Sequence, residues 1–295
     1  MDISVVTPEL RIGCLVGGPP DGRPIILLHG WPDDALTWTR VVPSLHAARW
    51  RTILPYLRGC GPTRFRDSAT RRSGQLTALA ADLVALVDAL EIERFAVVGH
   101  DWGARAAYIA AALWPARVTH LVALSVGWGT NDPQQSMSLQ QVQNYWYHWY
   151  MALPRGKALV ETERLEYARY IWDIWSPHWK IPALDFETTA RSFENPDWAD
   201  VVIHSYRHRW GYAEGDPKYA TLEQRLSPVP TISAPTLVLH GADDPCNSPA
   251  SSENKEQFFS GHYQRTLLPR VGHFPQREAP DRVAKEILTW LARVA

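Results

Sequence analysis

Asp101, Asp244 and His273 are the side chains of this 295-residue chain best placed by type and context for covalent chemistry. Asp101 stands in Gly99-His-Asp-Trp-Gly103, between the apolar run Phe95–Val98 and an alanine-rich stretch from Ala104 to Trp114. A short strand, a tight turn with small residues on either side and a helix make an elbow that exposes its central side chain. The glycines let the backbone pass closely enough to hold that side chain in a strained pose. A serine at this point would perform acyl transfer through a histidine. A carboxylate attacking an ester would give a high-energy anhydride. Asp101 suits displacement at a saturated carbon instead, which leaves an alkyl ester on the protein. His273, oriented by an acid, would then activate water to hydrolyse that ester. The resulting oxyanion needs donors, and the backbone N–H groups of Trp102 and Trp31 are placed for this. Pro32 presets the turn that aims the second of them. Strained ethers and carbon–halogen bonds are the substrates this chemistry leaves.

Each of the three follows a segment that reads as a buried strand: Phe95–Val98 before Asp101, Thr236–Leu239 before Asp244, Tyr263–Leu268 before His273. Strands are also expected over Ile3–Val6, Leu10–Val16, Pro24–Leu28, Thr52–Leu54 and Val118–Val126. Leu76, Leu79, Leu83, Leu86 and Leu90 fall at helical steps and mark one face of a helix over 76–90. Further helices are expected after Asp34, a candidate cap, up to Val42, over Ser251–Phe259 and over Asp281–Val294. Arg64–Gln75 is polar and basic and reads as a surface loop. From about Gly127 to Ile232 the strand–helix alternation stops. The text there is aromatic and helical, with Trp146, Trp149, Trp172, Trp175, Trp179, Trp198 and Trp210. A strand–helix core interrupted once by a helical block is an α/β fold with an inserted cap. The expected division is a core of residues 1–129 and 230–295 and a cap of residues 130–229. In such parallel sheets ligands gather at the carboxyl ends of the strands, where all three polar residues fall.

Composition narrows the partners. Lys+Arg 30 against Asp+Glu 31 gives a net charge of −1, which supplies no basic field for nucleic acid or an anionic membrane. No apolar run approaches bilayer length, and no signal peptide is read at the N-terminus. Cys14, Cys60 and Cys246 are odd in number and far apart, as expected of reduced thiols in a cytoplasmic protein. A small-molecule substrate is the expected partner, and a homodimer is compatible with this reading.

His29-Gly-Trp-Pro32, Gly99-His-Asp-Trp-Gly103, Gly241-Ala-Asp-Asp244 and Gly272-His273, in that order, resemble the epoxide hydrolase and haloalkane dehalogenase branch of the α/β-hydrolases. The resemblance covers essentially the whole chain. It implies an α/β-hydrolase fold, a mostly parallel sheet flanked by helices with a helical cap, and the chain order nucleophile, acid, histidine. It also implies that Asp244 rather than Asp243 is the acid, Asp243 being a turn residue. Epoxide hydrolases carry two cap tyrosines that protonate the opened ring. One lies seven residues before a proline and the other precedes an arginine, positions matched by Tyr147 (before Pro154) and Tyr206 (before Arg207). No cofactor or metal is implied.

The rival activity is dehalogenation. Trp102 is common to both groups, whereas Trp31 stands where one haloalkane group has Asn. Fluoroacetate dehalogenases have a His-Trp pair and a Tyr for fluoride, resembling His148, Trp149 and Tyr206. They bind the substrate carboxylate with two arginines, of which Arg105 matches one while Trp102 occupies the other position. His148, Trp149 and Arg105 are therefore candidate pocket residues, with structural pairing at the core–cap junction the favoured role of Arg105. His100 and His29 are expected to organise loops, and His204 and His208 to make hydrogen bonds rather than hold zinc. Trp172, Trp175 and Trp179 are expected to pack the cap on the core, one of them with room to line the pocket. A non-catalytic small-molecule receptor is the remaining alternative, disfavoured because no triad member is missing.

Overall fold

The computed structural model describes residues 1–129 and 136–293. The expected cap start at residue 130 and the expected helix end at Val294 lie outside the described residues. Nine strands form one sheet: β1 (Asp2–Val6), β2 (Leu10–Gly17), β3 (Arg23–Leu28), β4 (Trp50–Pro55), β5 (Arg64–Phe65), β6 (Phe95–His100), β7 (Val118–Leu124), β8 (Thr236–Gly241) and β9 (Tyr263–Leu268). Their order is β1-β2-β4-β3-β6-β7-β8-β9, with β5 beside β2. From β4 to β9 every pairing is parallel, and β1, β2 and β5 pair antiparallel. The chain has the α/β-hydrolase architecture, with helices on both faces.

Strand periodicity explains why two cores form. In β3, Ile26 and Leu28 point to one face and Ile25 and Leu27 to the other, and β6 divides Phe95 and Val97 from Ala96 and Val98 in the same way. Central strands such as β6 and β8 are buried along their whole length, as continuous apolar runs require. One face takes α1 (Val42–Ala47) and α12 (Pro280–Arg293), whose Val283, Ala284, Ile287, Trp290 and Leu291 form an apolar stripe. The other takes α2 (Leu76–Ala89) and α3 (Trp102–Leu113). A four-residue α11 (Pro275–Glu278) precedes α12.

Between β7 and β8 the helical block comprises α4 (Leu139–Asn144), α5 (Trp146–Ala152), α6 (Pro154–Thr162), α7 (Arg164–Trp175), α8 (Ala183–Ala190), α9 (Trp198–Arg209) and α10 (Ala220–Gln224). Its buried residues join the core cluster on the α3 side. Trp172 ties it down by donating its indole N–H to the Pro32 carbonyl at 2.6 Å. No helix of the described residues is long and apolar enough to cross a membrane.

Three expectations need correction. Ser251–Phe259 is not one helix but two short 3-10 turns, Pro249–Ser252 and Glu256–Phe258. Asn254, at φ 53°, breaks the right-handed path between them, and the segment has no apolar stripe to repay a longer helix. Arg64–Gln75 is not wholly a loop, because Arg64 and Phe65 pair with Arg11 and Leu10. Asp34 does cap the turn that follows, accepting from the Leu36 N–H at 3.0 Å, but that turn is a 3-10 turn over Ala35–Trp38.

The elbow between β6 and α3 depends on a close backbone approach. A Cβ at Gly103 would lie 2.5 Å from the carbonyl oxygens of both Leu28 and His29, backbone atoms with nowhere to go. Gly103→Ala should therefore cost on the order of 3 kcal/mol. Gly211→Ala, at φ 75° with nothing within 4 Å, should cost only about 1 kcal/mol. Thermal melts followed by circular dichroism measure both; equal melting temperatures would contradict this account of the elbow.

Candidate active site

Parallel strands end side by side, so the loops leaving β3, β6, β8 and β9 bring Trp31, Asp101, Asp244 and His273 to one edge of the sheet. Asp101 stands between β6 and α3, at the N-cap of the helix, with φ 48° and ψ −112°, a conformation that non-glycine residues rarely adopt. The Trp31 N–H donates to Asp101 Oδ2 at 3.0 Å. Trp102 is the first residue of α3, so its N–H has no acceptor within the helix. Gly30 permits this approach: a Cβ there would lie 2.5 Å from the Asp101 Cβ and 2.8 Å from its Oδ2.

Asp244 and His273 are fully enclosed. His273 Nδ1 lies 2.9 Å from Asp244 Oδ2, while Oδ1 accepts from the N–H groups of Cys246 and Asn247 at 2.8 and 3.1 Å. His240 Nε2 adds a second contact to Oδ2 at 3.3 Å. Burial alone would raise the Asp244 carboxyl, but His273 and His240 outweigh it and hold it below the usual carboxylate range. Burial alone would lower His273; the Asp244 charge and then Cys246 reverse this and raise it well above the ordinary imidazole value. A histidine bonded through Nδ1 to a carboxylate presents Nε2 to the reaction. His273 Nε2 is buried with no hydrogen-bond partner among the described residues.

The backbone of His273 is pinned from several sides. Its carbonyl meets His100 Nε2 at 2.7 Å and the Ser125 hydroxyl at 2.9 Å, and its N–H donates to the Trp175 carbonyl at 2.9 Å. The Glu278 carboxylate accepts from the N–H groups on either side, Gly272 and Phe274. His100 and His29 hold loops as expected, and burial lowers each to about 4, so both stay neutral near pH 7. His29 spans Gly30 and Leu57, its Nε2 accepting from the Leu57 N–H.

Tyr147 and Tyr206, from α5 and α9, are brought together over Trp31. Tyr147 stacks on the Trp31 indole at 5.7 Å and 11°, Tyr206 meets it edge-on at 5.3 Å, and the two phenols lie 5.4 Å apart. Trp102 and Trp175 close the aromatic wall, Trp175 lying 4.7 Å from the His273 ring. The Tyr147 hydroxyl rests 3.3 Å from Cys246 Sγ, a weak partner that a substrate oxygen could replace. Burial pushes both phenols well above their ordinary value, so they keep their protons through neutral pH.

His148 joins this cluster, its ring 4.6 Å from Tyr206. The Trp210 indole N–H donates to His148 Nδ1 at 3.1 Å, which leaves the proton of a neutral ring on Nε2. Burial, then Arg209 and Arg105, hold His148 well below the ordinary value. Arg105 is buried one turn into α3. Trp149 is not brought to the cluster: it packs behind His148 on Trp210 and spends its indole N–H on the Val142 carbonyl. Asp243 is half-exposed beside His178, and His204 is engaged by Gly74 and Glu214. Among the described residues, the only close cluster of metal-ligand type is Asp244, Cys246 and His273.

Glu278 and Arg209 carry no motif in the sequence, and Cys246 reads there only as a reduced thiol. Cys246 lies two residues past Asp244 on the same loop, and Arg209 lies three past Tyr206, a helical step onto the same face. Those spacings were the available signals.

The α/β-hydrolase fold family matches residues 23–280. Epoxide hydrolase A of Mycobacterium tuberculosis is 27% identical over 97% of this chain and 96% of its own. An epoxide hydrolase of Caballeronia sordidicola is 27% identical over 92% and 88%. A crystal structure from Klebsiella pneumoniae, provisionally named an epoxide hydrolase, is 40% identical over 98% and 96%, with a TM-score of 0.92. The chain belongs to the α/β-hydrolase family, and is a hydrolase with relatives that are named epoxide hydrolases.

Proposed function

We propose that the protein hydrolyses an epoxide to a vicinal diol through a covalent ester on Asp101. The observation that carries this reading is a carboxylate in the elbow, held by the Trp31 N–H and faced by two buried phenols. Asp101 attacks a ring carbon, the carbon–oxygen bond breaks, and the oxygen takes a proton from Tyr147 or Tyr206. His273, oriented by Asp244, then takes a proton from water as its oxygen adds to the Asp101 carbonyl carbon. The Trp31 and Trp102 N–H groups stabilise the oxyanion. Its collapse releases the diol, whose second oxygen takes the proton held by His273; the proton left on the Asp101 carboxyl returns to the tyrosinate, so that Asp101 is again a carboxylate, now carrying the water oxygen. His148 contributes a donor at the pocket wall, and Arg105 a charge at the core–cap junction. The helical block, residues 130–229, acts as the cap over a core of 1–129 and 230–295. The three thiols, all free and buried, support a cytoplasmic setting.

His273→Gln should accumulate the ester, seen by mass spectrometry as an increase equal to the substrate, and Asp101→Ala should abolish both ester and diol. Diol formation by Asp101→Ala, or free halide from haloacids with no diol from any epoxide, would refute the reading.

Tyr147→Phe and Tyr206→Phe should each slow ring opening by about 10- to 100-fold, and together remove it. Stopped-flow measurement of ester formation separates this step from hydrolysis; a double variant with wild-type ester formation would exclude the phenols as donors.

Ester hydrolysis requires neutral His273, whose folded value is raised, so its rate should fall as the pH drops through a midpoint above 6.5. Asp244→Asn removes the charge that raises it, and should move that midpoint to lower pH while slowing the step. A midpoint unmoved by the substitution would mean that another group titrates.

A further inference from the structure

Beside the catalytic cluster, where α9 crosses α2 and α3, lies a cavity of about 270 Å³. Most of its wall is apolar, from Leu76, Ile109, Trp128, Leu226 and Val229. Polar residues also line it, and two of them, both from α9, carry buried polar atoms that stand without a partner. The Ser205 hydroxyl and the Nε and Nη2 of Arg209 are buried with no hydrogen-bond partner among the described residues. No carboxylate of the described residues forms an ion pair with Arg209. Glu223 also lines the cavity, but it accepts from the Gln75 amide and the Thr77 hydroxyl.

A guanidinium with two buried nitrogens and no ion-pair partner among the described residues is costly to hold; the like charge of Arg105 adds to that cost, and the Asp101 charge offsets part of it. Its neighbour toward the reacting groups is Tyr206: the guanidinium carbon lies 5.1 Å from that ring. A carboxylate would supply the paired, charge-assisted hydrogen bonds that the fork lacks.

We propose that this cavity is the acid-binding end of the active site: Arg209 holds the carboxylate of an epoxy acid whose ring is opened at Asp101. The proposal rests on the epoxide reading for the reaction, and on the unpaired Arg209 for the charge. Tyr206 and Arg209 are three residues apart on one helix, an axial rise of about 4.5 Å, so ring and carboxylate are separated by only a few carbons.

The test compares 5,6-epoxyhexanoate with its uncharged amide. Wild-type protein should favour the acid in kcat/KM by about tenfold or more, Arg209→Gln should erase that preference, and Arg209→Lys should keep part of it. Equal rates for acid and amide, or a preference that survives Arg209→Gln, overturns the proposal. If no epoxide is turned over, neutral ones included, the reaction reading fails instead, and hexanoate binding by calorimetry decides the subsite alone. Binding weakened by about tenfold or more in Arg209→Gln supports it, and equal binding overturns it. Folding is controlled by melting the ligand-free proteins. Loss of an unpaired buried charge should raise the melting temperature of Arg209→Gln, with hexanoate stabilising only the wild type; a lower melting temperature in Arg209→Gln without hexanoate would mean that the guanidinium serves packing instead, and would count against the proposal.

Discussion

The site depends on one strained residue. Asp101 holds a backbone conformation at φ 48° that costs on the order of 1–3 kcal/mol and persists only because its surroundings leave no alternative. Its N–H reaches the Leu124 carbonyl on the neighbouring strand, its own carbonyl accepts from the Arg105 N–H one turn into α3, and its carboxylate is held by Trp31. Each contact comes from a different element, so the carboxylate is aimed by the sheet and the helix together. The apolar alternation of β3, β6 and β7 is what keeps these elements in register.

Electrostatics then separates the roles of the buried groups. Asp244 and His273 share a closed pocket in which each stabilises the charged form of the other, Asp244 held low and His273 held high. The phenols stay protonated for the opposite reason: burial opposes an anion and no strong cation is bonded to either oxygen. In the proposed reaction this lets a proton acceptor and two proton donors share one enclosure, because their surroundings push them in different directions.

Much of this was legible in the chain. Short runs ending in a polar residue, such as Phe95–Val98 before Asp101 and Tyr263–Leu268 before His273, carry both the strand and its functional end. The alanine-rich stretch after the elbow reads directly as the helix that must fit between the sheet and the helical block. Other features were not legible, for stated physical reasons. The 251–259 segment has residues that suit a helix locally but no apolar stripe to hold one, and it turns left-handed at Asn254. Trp149 and Trp175 look alike as aromatic residues in a helical block, and only the crossing of α5, α7 and α9 decides that one backs His148 while the other touches His273. That Arg209 Nε and Nη2 find no hydrogen-bond partner among the described residues depends on what packs around them, which spacing does not encode.

Trp31 belongs to two parts of the molecule at once. Its backbone aims the Asp101 carboxylate, while its indole is sandwiched among Tyr147, Tyr206 and Trp175 from three helices of the block. Close-packed interiors transmit small displacements rather than absorb them. A displacement of those three helices would therefore be felt at the Trp31 amide and, through it, at the Asp101 carboxylate. One side chain thus couples the packing of the helical block to the aim of the carboxylate below it.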